Sequence, residues 1–346
     1  MFDRLTGNQR VKQTLRRMLA VGKVPGALLF VGEDGVGKKR FALELAKALN
    51  CLSPIGGEAC DVCSSCVRIS QSRFPEYTTA DDNKDKLVRS EHLDVALARP
   101  YNRVLRIELM REIEREANSR PFEGKARVFL IDDADKLNQN SSSALLKTLE
   151  EPPKSSHLIL ITSRPGSLLS TIRSRSHVVR FAPLAPAEIE AHLTRDGKVS
   201  REDAHLLSRV VGGSIGRASE FNLETYREHR QAMLSVLNAA AVTQDRTQLL
   251  RAAEEMNDPK RKDEYEPRLD LLAGLVHDVW TLSLGTSADA LINEDLGPQL
   301  SKIGSRLESK RAARWLSQIE TLRRGLDVNI NRKVATDVLF LSMAES

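Results

Sequence analysis

Residues Gly32–Lys39, which read Gly-Glu-Asp-Gly-Val-Gly-Lys-Lys, constrain the fold of this 346-residue chain more than any other stretch. They follow an apolar run, Ala27–Val31, bounded by Pro25-Gly26 and suited to a buried parallel strand. They precede Phe41–Asn50, where Leu45 and Leu49 fall four apart among Ala42, Ala46 and Ala48, a helical pattern. Strand, glycine loop and helix are the context of a phosphate-binding loop. Glycines such as Gly32, Gly35 and Gly37 let backbone N–H groups converge on phosphate, and the helix N-terminus adds partial positive charge. The pattern G-x-x-x-x-G-K-[ST] is met at Gly32, Gly37 and Lys38. Its last position, normally a magnesium-holding hydroxyl, is Lys39. A second ammonium cannot ligate a cation and repels one. The bland alternative is a glycine turn with no ligand. The expectation is a nucleotide-loop fold with ATP as a candidate ligand, and without magnesium-assisted hydrolysis.

The length suits two or three domains. Charged residues make up 29% and aromatics 4%, which favours helix-rich α/β and α architecture over an all-β one. A net charge of +5, from 52 basic and 47 acidic residues, permits contact with nucleic acid but is no strong electrostatic footprint. Met1–Thr6 lack the apolar core of a signal peptide, and no run reaches the length of a membrane span. The expected location is the cytoplasm.

All four cysteines fall in one short stretch: Cys51, Cys60, Cys63 and Cys66, spaced C-x8-C-x2-C-x2-C. Disulfides are out of place in a cytosolic chain. C-x2-C turns present thiolates at the angles of a tetrahedral zinc ion, and four sulfur ligands leave no position for a reactive water. A closed structural zinc site is expected, against the alternative of free buried thiols.

Further along, Val11, Leu15, Met18 and Leu19 share a helix face after Gly7-Asn8-Gln9. Residues 75–80 suggest a strand, 81–86 a charged turn and Leu87–Arg99 a short inserted helix. A clearer helix carries Val104, Ile107, Met110, Ile113 and Ala117. Val128–Ile131 read as a central strand ending in acids, where ligands bind in parallel sheets. Asp132 occupies the place of a magnesium-orienting carboxylate. Asp133 stands where an ATPase usually has a glutamate to polarise water, one methylene shorter. A plain strand ending in a polar turn is the alternative. Ser141–Pro153 read as a serine-capped helix stopped by a proline pair, and His157–Ser163 as another buried strand with Thr162 and Ser163 at its end. Leu168–Ser176 follow, and Val178–Phe181 close the sheet.

In this order, Gly7-Asn8-Gln9, the phosphate loop, the cysteine cluster, Asp-Asp-Ala-Asp, Leu145–Pro153 and Ser174-Arg175-Ser176 resemble the AAA+ clamp-loader subunits of bacterial DNA polymerase III. The resemblance implies a P-loop AAA+ domain over 1–183, with parallel sheet and inserted zinc module at 51–66, and a helical lid over 184–223. It further implies an all-α collar over 224–346 that holds a hetero-pentamer together. It implies an arginine finger at Arg175, reaching a neighbour's ATP γ-phosphate, although Ser176 replaces the family's usual cysteine. It implies nucleotide sensors at Thr162 or Ser163 and at Arg217. Implied partners are gamma/tau-type and delta-type subunits, with the sliding clamp and primed DNA met through the assembly. For Arg175 the plain alternative is a surface salt bridge.

Pro183 and Pro186 mark a linker, with helices expected at Ala187–Leu193 and Arg201–Val210. Beyond 224 only helical stripes appear: Leu272, Val276 and Val279; Trp315, Ile319, Leu322 and Leu326; Val334, Val338 and Leu341. The polar segment Ala253–Pro267 reads as a long exposed turn. Three functions compete: a non-motor subunit lending Arg175, an active gamma/tau-like motor, and a zinc-dependent DNA-binding module. Lys39 and Asp133 argue against the motor. Modest charge and few aromatics for base stacking argue against independent DNA binding.

Overall fold

Four short, fully buried strands, each with an apolar run, lie at the centre of the N-terminal half. The computed structural model describes residues 2–71, 87–101, 104–195, 197, 199–287, 291–326 and 330–345. In it the chain separates into two units, Met1–Ala204 with Val211–Glu220, and His205–Val210 with Phe221–Ser346.

The first unit begins with α1 (Gln9–Ala20), β1 (Ala27–Val31), α2 (Lys38–Asn50) and α3 (Ser64–Gln71). It continues through β2 (Val88–Arg89), β3 (Val95–Ala98), α4 (Ile107–Ala117), β4 (Arg127–Ile131), α5 (Gln139–Glu150) and β5 (Ser156–Thr162). α6 (Ser170–Arg175), β6 (His177–Arg180), α7 (Pro186–Thr194), α8 (Arg201–Val210) and α9 (Ile215–Glu220) follow. α8 straddles the division between the units.

The strands form one sheet in the order β2-β3-β4-β5-β1-β6, parallel except for β2. β1, β3, β4 and β5 are buried along their whole length, as strands covered on both faces must be. Alternation sends Leu29, Phe129 and Leu160 into one layer with Leu109, Ile113 and Leu145. Leu28, Phe30, Leu130 and Ile159 enter the other, with Leu15, Phe41 and Leu45. This is the α/β parallel-sheet architecture predicted from the sequence, with the cysteine module following α2 and running into α3, which carries Cys66.

Four local expectations fail, two here and two in the second unit. The helix expected over Leu87–Arg99 is instead the β2–β3 hairpin, whose Val95–Ala98 arm is buried and pairs in parallel with β4. Ser90 makes its turn, donating through Oγ to the His92 carbonyl at 2.7 Å and accepting from His92 N at 3.0 Å. Asp94 then accepts backbone N–H bonds from Phe122, Glu123 and Gly124 at 2.7–2.9 Å, fixing the approach to β4. Helix-forming Ala and Leu residues yield here to a central sheet position. Segments 75–80 and 81–86 lie outside the described residues. α5 is capped by Asn138, whose side chain accepts from Ser141 N at 2.9 Å, so Ser141 is the third residue of a capping box rather than the cap.

The second unit contains α10 (Leu223–Asn238), α11 (Arg246–Met256), α12 (Tyr265–Ser283), α13 (Gly297–Gly304), α14 (Ser309–Leu326) and α15 (Arg332–Ala344). It is all-α, as its stripes imply, around Leu272, Val276, Val279, Trp315 and Ile319. The long turn expected at Ala253–Pro267 is mostly helical. α11 runs to Met256, a 3-10 segment covers Pro259–Glu264, and buried Tyr265 opens α12. On α15 the stripe at Val334 and Val338 is exposed, because Leu339, Phe340 and Met343 take the core. Among the described residues no helix is long and apolar enough to cross a membrane.

Candidate functional site

Leaving buried β1, the chain must turn sharply to start α2, and glycine makes the turn. Gly35 and Gly37 have φ of +76° and +98°, in the left-handed region where a side chain is strained. A Cβ on Gly32 would stand 2.7 Å from the Phe181 carbonyl, and one on Gly35 would stand 2.1 Å from Ser214 Oγ. Gly216 N donates to the Gly35 carbonyl at 2.9 Å, so the first turn of α9 lies directly on the loop. The loop opens on a cleft of about 360 Å³ whose lining includes Gly35, Gly37, Lys38, Lys39, Asp132 and Thr162.

Lys38 is buried and donates to the Gly32 and Glu33 carbonyls at 2.5 and 2.6 Å. Burial lowers its pKa, against the pull of Asp34, Asp132 and Asp133. Lys39 Nζ stands 3.0 Å from Asp132 Oδ2, so the residue in place of the hydroxyl pairs with the strand-end carboxylate. Asp133 takes a left-handed backbone at φ +46°. Partial burial, then Asp132, Asp135 and Asp34, raise its pKa. Thr162 ends β5 and donates to Asp135 Oδ1 at 2.7 Å while accepting from Arg164 N at 2.9 Å. Asp135 escaped the sequence reading, although it closes the Asp-Asp-Ala-Asp run that signals it.

The two arginines lie elsewhere. Arg217, on α9, is exposed and is not among the residues lining the cleft. Arg175 ends α6, about one-third exposed and likewise outside the lining. Its Nη2 pairs with Glu150 Oε1 at 2.8 Å and its Nη1 donates to the Thr171 carbonyl at 3.2 Å. Glu150, at the end of α5, is a second residue given no role from sequence. The Leu-Glu-Glu-Pro-Pro stretch that contains it was the available signal.

The four cysteines converge: the Sγ atoms of Cys51, Cys60, Cys63 and Cys66 lie within 4.8 Å of one another, with Cys51 and Cys63 4.0 Å apart. Tetrahedral thiolates about 2.3 Å from zinc would stand about 3.8 Å apart, so the set fits one ion with little adjustment. Cys60 N donates to Cys51 Sγ, and Cys63 N to Cys60 Sγ, both at 3.3 Å. Such bonds stabilise thiolates. Burial opposes ionisation of Cys63, but the N–H groups of Cys66 and Leu52 outweigh it and bring the thiol to about 6. Burial pushes Cys51 and Cys66 up, and a bound cation would reverse that. The module is tied to α1, since Arg16 Nε pairs with Glu58 Oε1 at 2.5 Å.

The family described as "DNA polymerase III, delta subunit" matches residues 7–185, and one described as "DNA polymerase III, delta subunit, C terminal" matches residues 225–343. The DNA polymerase III subunit delta' of Bacillus subtilis is 27% identical over 337 residues, covering 97% of this chain and 96% of its own length. The subunit delta' of Escherichia coli is 27% identical over 321 residues, covering 92% and 89%. The tau subunit of Escherichia coli is 29% identical over 306 residues, 83% of this chain but only 45% of tau. A DNA polymerase III gamma subunit-related protein of Thermotoga maritima aligns with 96% of this chain and 98% of its own, at 17% identity and a TM-score of 0.39. The first family match spans more than half of the sequence, and the chain belongs to the DNA polymerase III delta subunit family, resembling its delta' members along nearly its whole length.

Proposed function

We propose that the chain is a delta'-like, non-motor AAA+ subunit of a cytoplasmic replicative clamp loader, which helps place the sliding clamp on primed DNA. In this reading residues 1–183 are the AAA+ domain, 184–223 the lid and 224–346 the collar. The collar joins gamma/tau-type and delta-type subunits in a hetero-pentamer. Arg175 acts in trans on a neighbour's ATP, where a guanidinium neutralises charge growing on the phosphoryl group. A zinc ion on Cys51, Cys60, Cys63 and Cys66 would cross-link the inserted module without reactive chemistry.

One observation carries the non-motor assignment. Lys39 fills the position of the magnesium hydroxyl and pairs with Asp132, the carboxylate that would orient the ion. Asp133 supports it, being short and with its ionisation disfavoured. Support for the trans role is that Arg175 lies outside its own cleft, with its guanidinium held by Glu150 and Thr171. The test is ATP hydrolysis by the isolated chain beside a Lys38→Ala control. Equal background rates are expected. Magnesium-dependent turnover abolished by Lys38→Ala would return the chain to the gamma/tau-like motors.

A further inference from the structure

In a phosphate-loop site, magnesium links the hydroxyl after the loop lysine, an acid at a strand end and the phosphate oxygens. Here those two protein positions are closed on each other, with Lys39 Nζ 3.0 Å from Asp132 Oδ2. A magnesium ion does not fit this set. Its hydroxyl ligand is gone, its carboxylate is engaged by an ammonium, and the fixed positive charge beside it repels a divalent cation.

The rest of the phosphate apparatus is kept. Gly35 and Gly37 hold the loop open-backed at positive φ, and α2 gives a 13-residue helix whose N-terminus meets the cleft. Lys38 lines the same cleft at 6% exposure, and Leu43, Ile161 and Ile215 supply apolar wall. We propose that the Lys39 ammonium replaces the metal, so that the cleft binds the polyphosphate of a nucleotide in its metal-free form. This rests on reading the cleft as the nucleotide site of a non-motor subunit.

The charge argument is direct. A metal-free nucleotide lacks the two positive charges that magnesium contributes, and Lys39 restores one of them at the atom that would have held the ion. An ammonium also presents N–H donors to phosphate oxygens without demanding octahedral geometry. Lys38, Lys39 and Arg40 in the lining face Asp34, Asp132 and Asp133, so the side chains add no net repulsion toward an anion.

The test is calorimetric titration of the full chain with ADP and with ATP, once in EDTA and once in excess magnesium. Binding should be at least about tenfold tighter in EDTA than in excess magnesium, which withdraws the metal-free nucleotide into its magnesium complex. Lys39→Thr, which restores the hydroxyl and frees Asp132, should weaken binding in EDTA by about tenfold and make it tighten with magnesium. Manganese spectroscopy should then detect Mn(II)–ATP bound to Lys39→Thr but not to the unaltered chain. Equal or tighter binding in excess magnesium by the unaltered chain would overturn the proposal. So would absence of binding in both buffers, which leaves the non-motor reading standing. Turnover of Mg–ATP by the unaltered chain would sink both.

Discussion

Asp133 illustrates how single residues at this cleft depart from what stability alone would choose. Its backbone is left-handed at φ +46°, a conformation that asparagine tolerates better than most residues. Partial burial and then Asp132, Asp135 and Asp34 raise its pKa. The raised value means that folding favours the protonated form, so its stabilising contribution is present below the unfolded pKa and lost as pH rises through the folded one. Asp133→Asn should therefore raise the midpoint of thermal unfolding at neutral pH, by only about 1–2 °C because the side chain is only partly buried. The gain should vanish once the pH is low enough to protonate Asp133, and a pH series of melting curves checks both. An equal gain at low pH would assign the effect to backbone strain alone. Much at this scale was legible: Gly32, Lys38, Lys39 and Asp132 fall where the motif puts them. What the motif could not give was pairing. That Lys39 closes on Asp132, Thr162 on Asp135 and Arg175 on Glu150 depends on atoms 93, 27 and 25 residues apart in sequence, brought together only by the sheet and its helices.

Elements with a single strong period were readable and those with two competing signals were not. β1, β4 and β5 are short runs of large apolar residues, and nothing but a covered strand accommodates them. β3 is Val-Ala-Leu-Ala, equally good in a helix, and its position beside β4 decides the matter. α15 carries two apolar stripes. Phe340 and Met343 win the core by size, leaving Val334 and Val338 outside. The cysteine module was legible because ligand spacing is a local property, and its four Sγ atoms do converge. Elemental analysis of purified protein should find about one zinc per chain. Cys63→Ser should lower folding stability, read as an earlier thermal transition, without altering the nucleotide titration. Stoichiometric zinc retained by a Cys60/Cys63 double mutant would exclude the metal site.

For the whole molecule, each unit has its own core, and the family matches cover both the α/β half and the helical half. In the proposed reading, a phosphate loop closed to magnesium leaves the chain to act through what it offers a neighbour. In the proposed assembly that is Arg175. A trans arginine is worth on the order of 10³-fold in rate, about 4 kcal/mol at the transition state. Arg175 is partly exposed and its Glu150 partner more so, so removing the pair should cost the fold at most about 1 kcal/mol. The deciding measurement is DNA- and clamp-stimulated ATPase of the reconstituted loader carrying Arg175→Ala, with Arg173→Ala as the matched surface control. Arg175→Ala should assemble intact but lose hydrolysis at one site and most clamp loading, and Arg173→Ala should keep normal activity. Equal, full activity of both variants would contradict the trans role of Arg175.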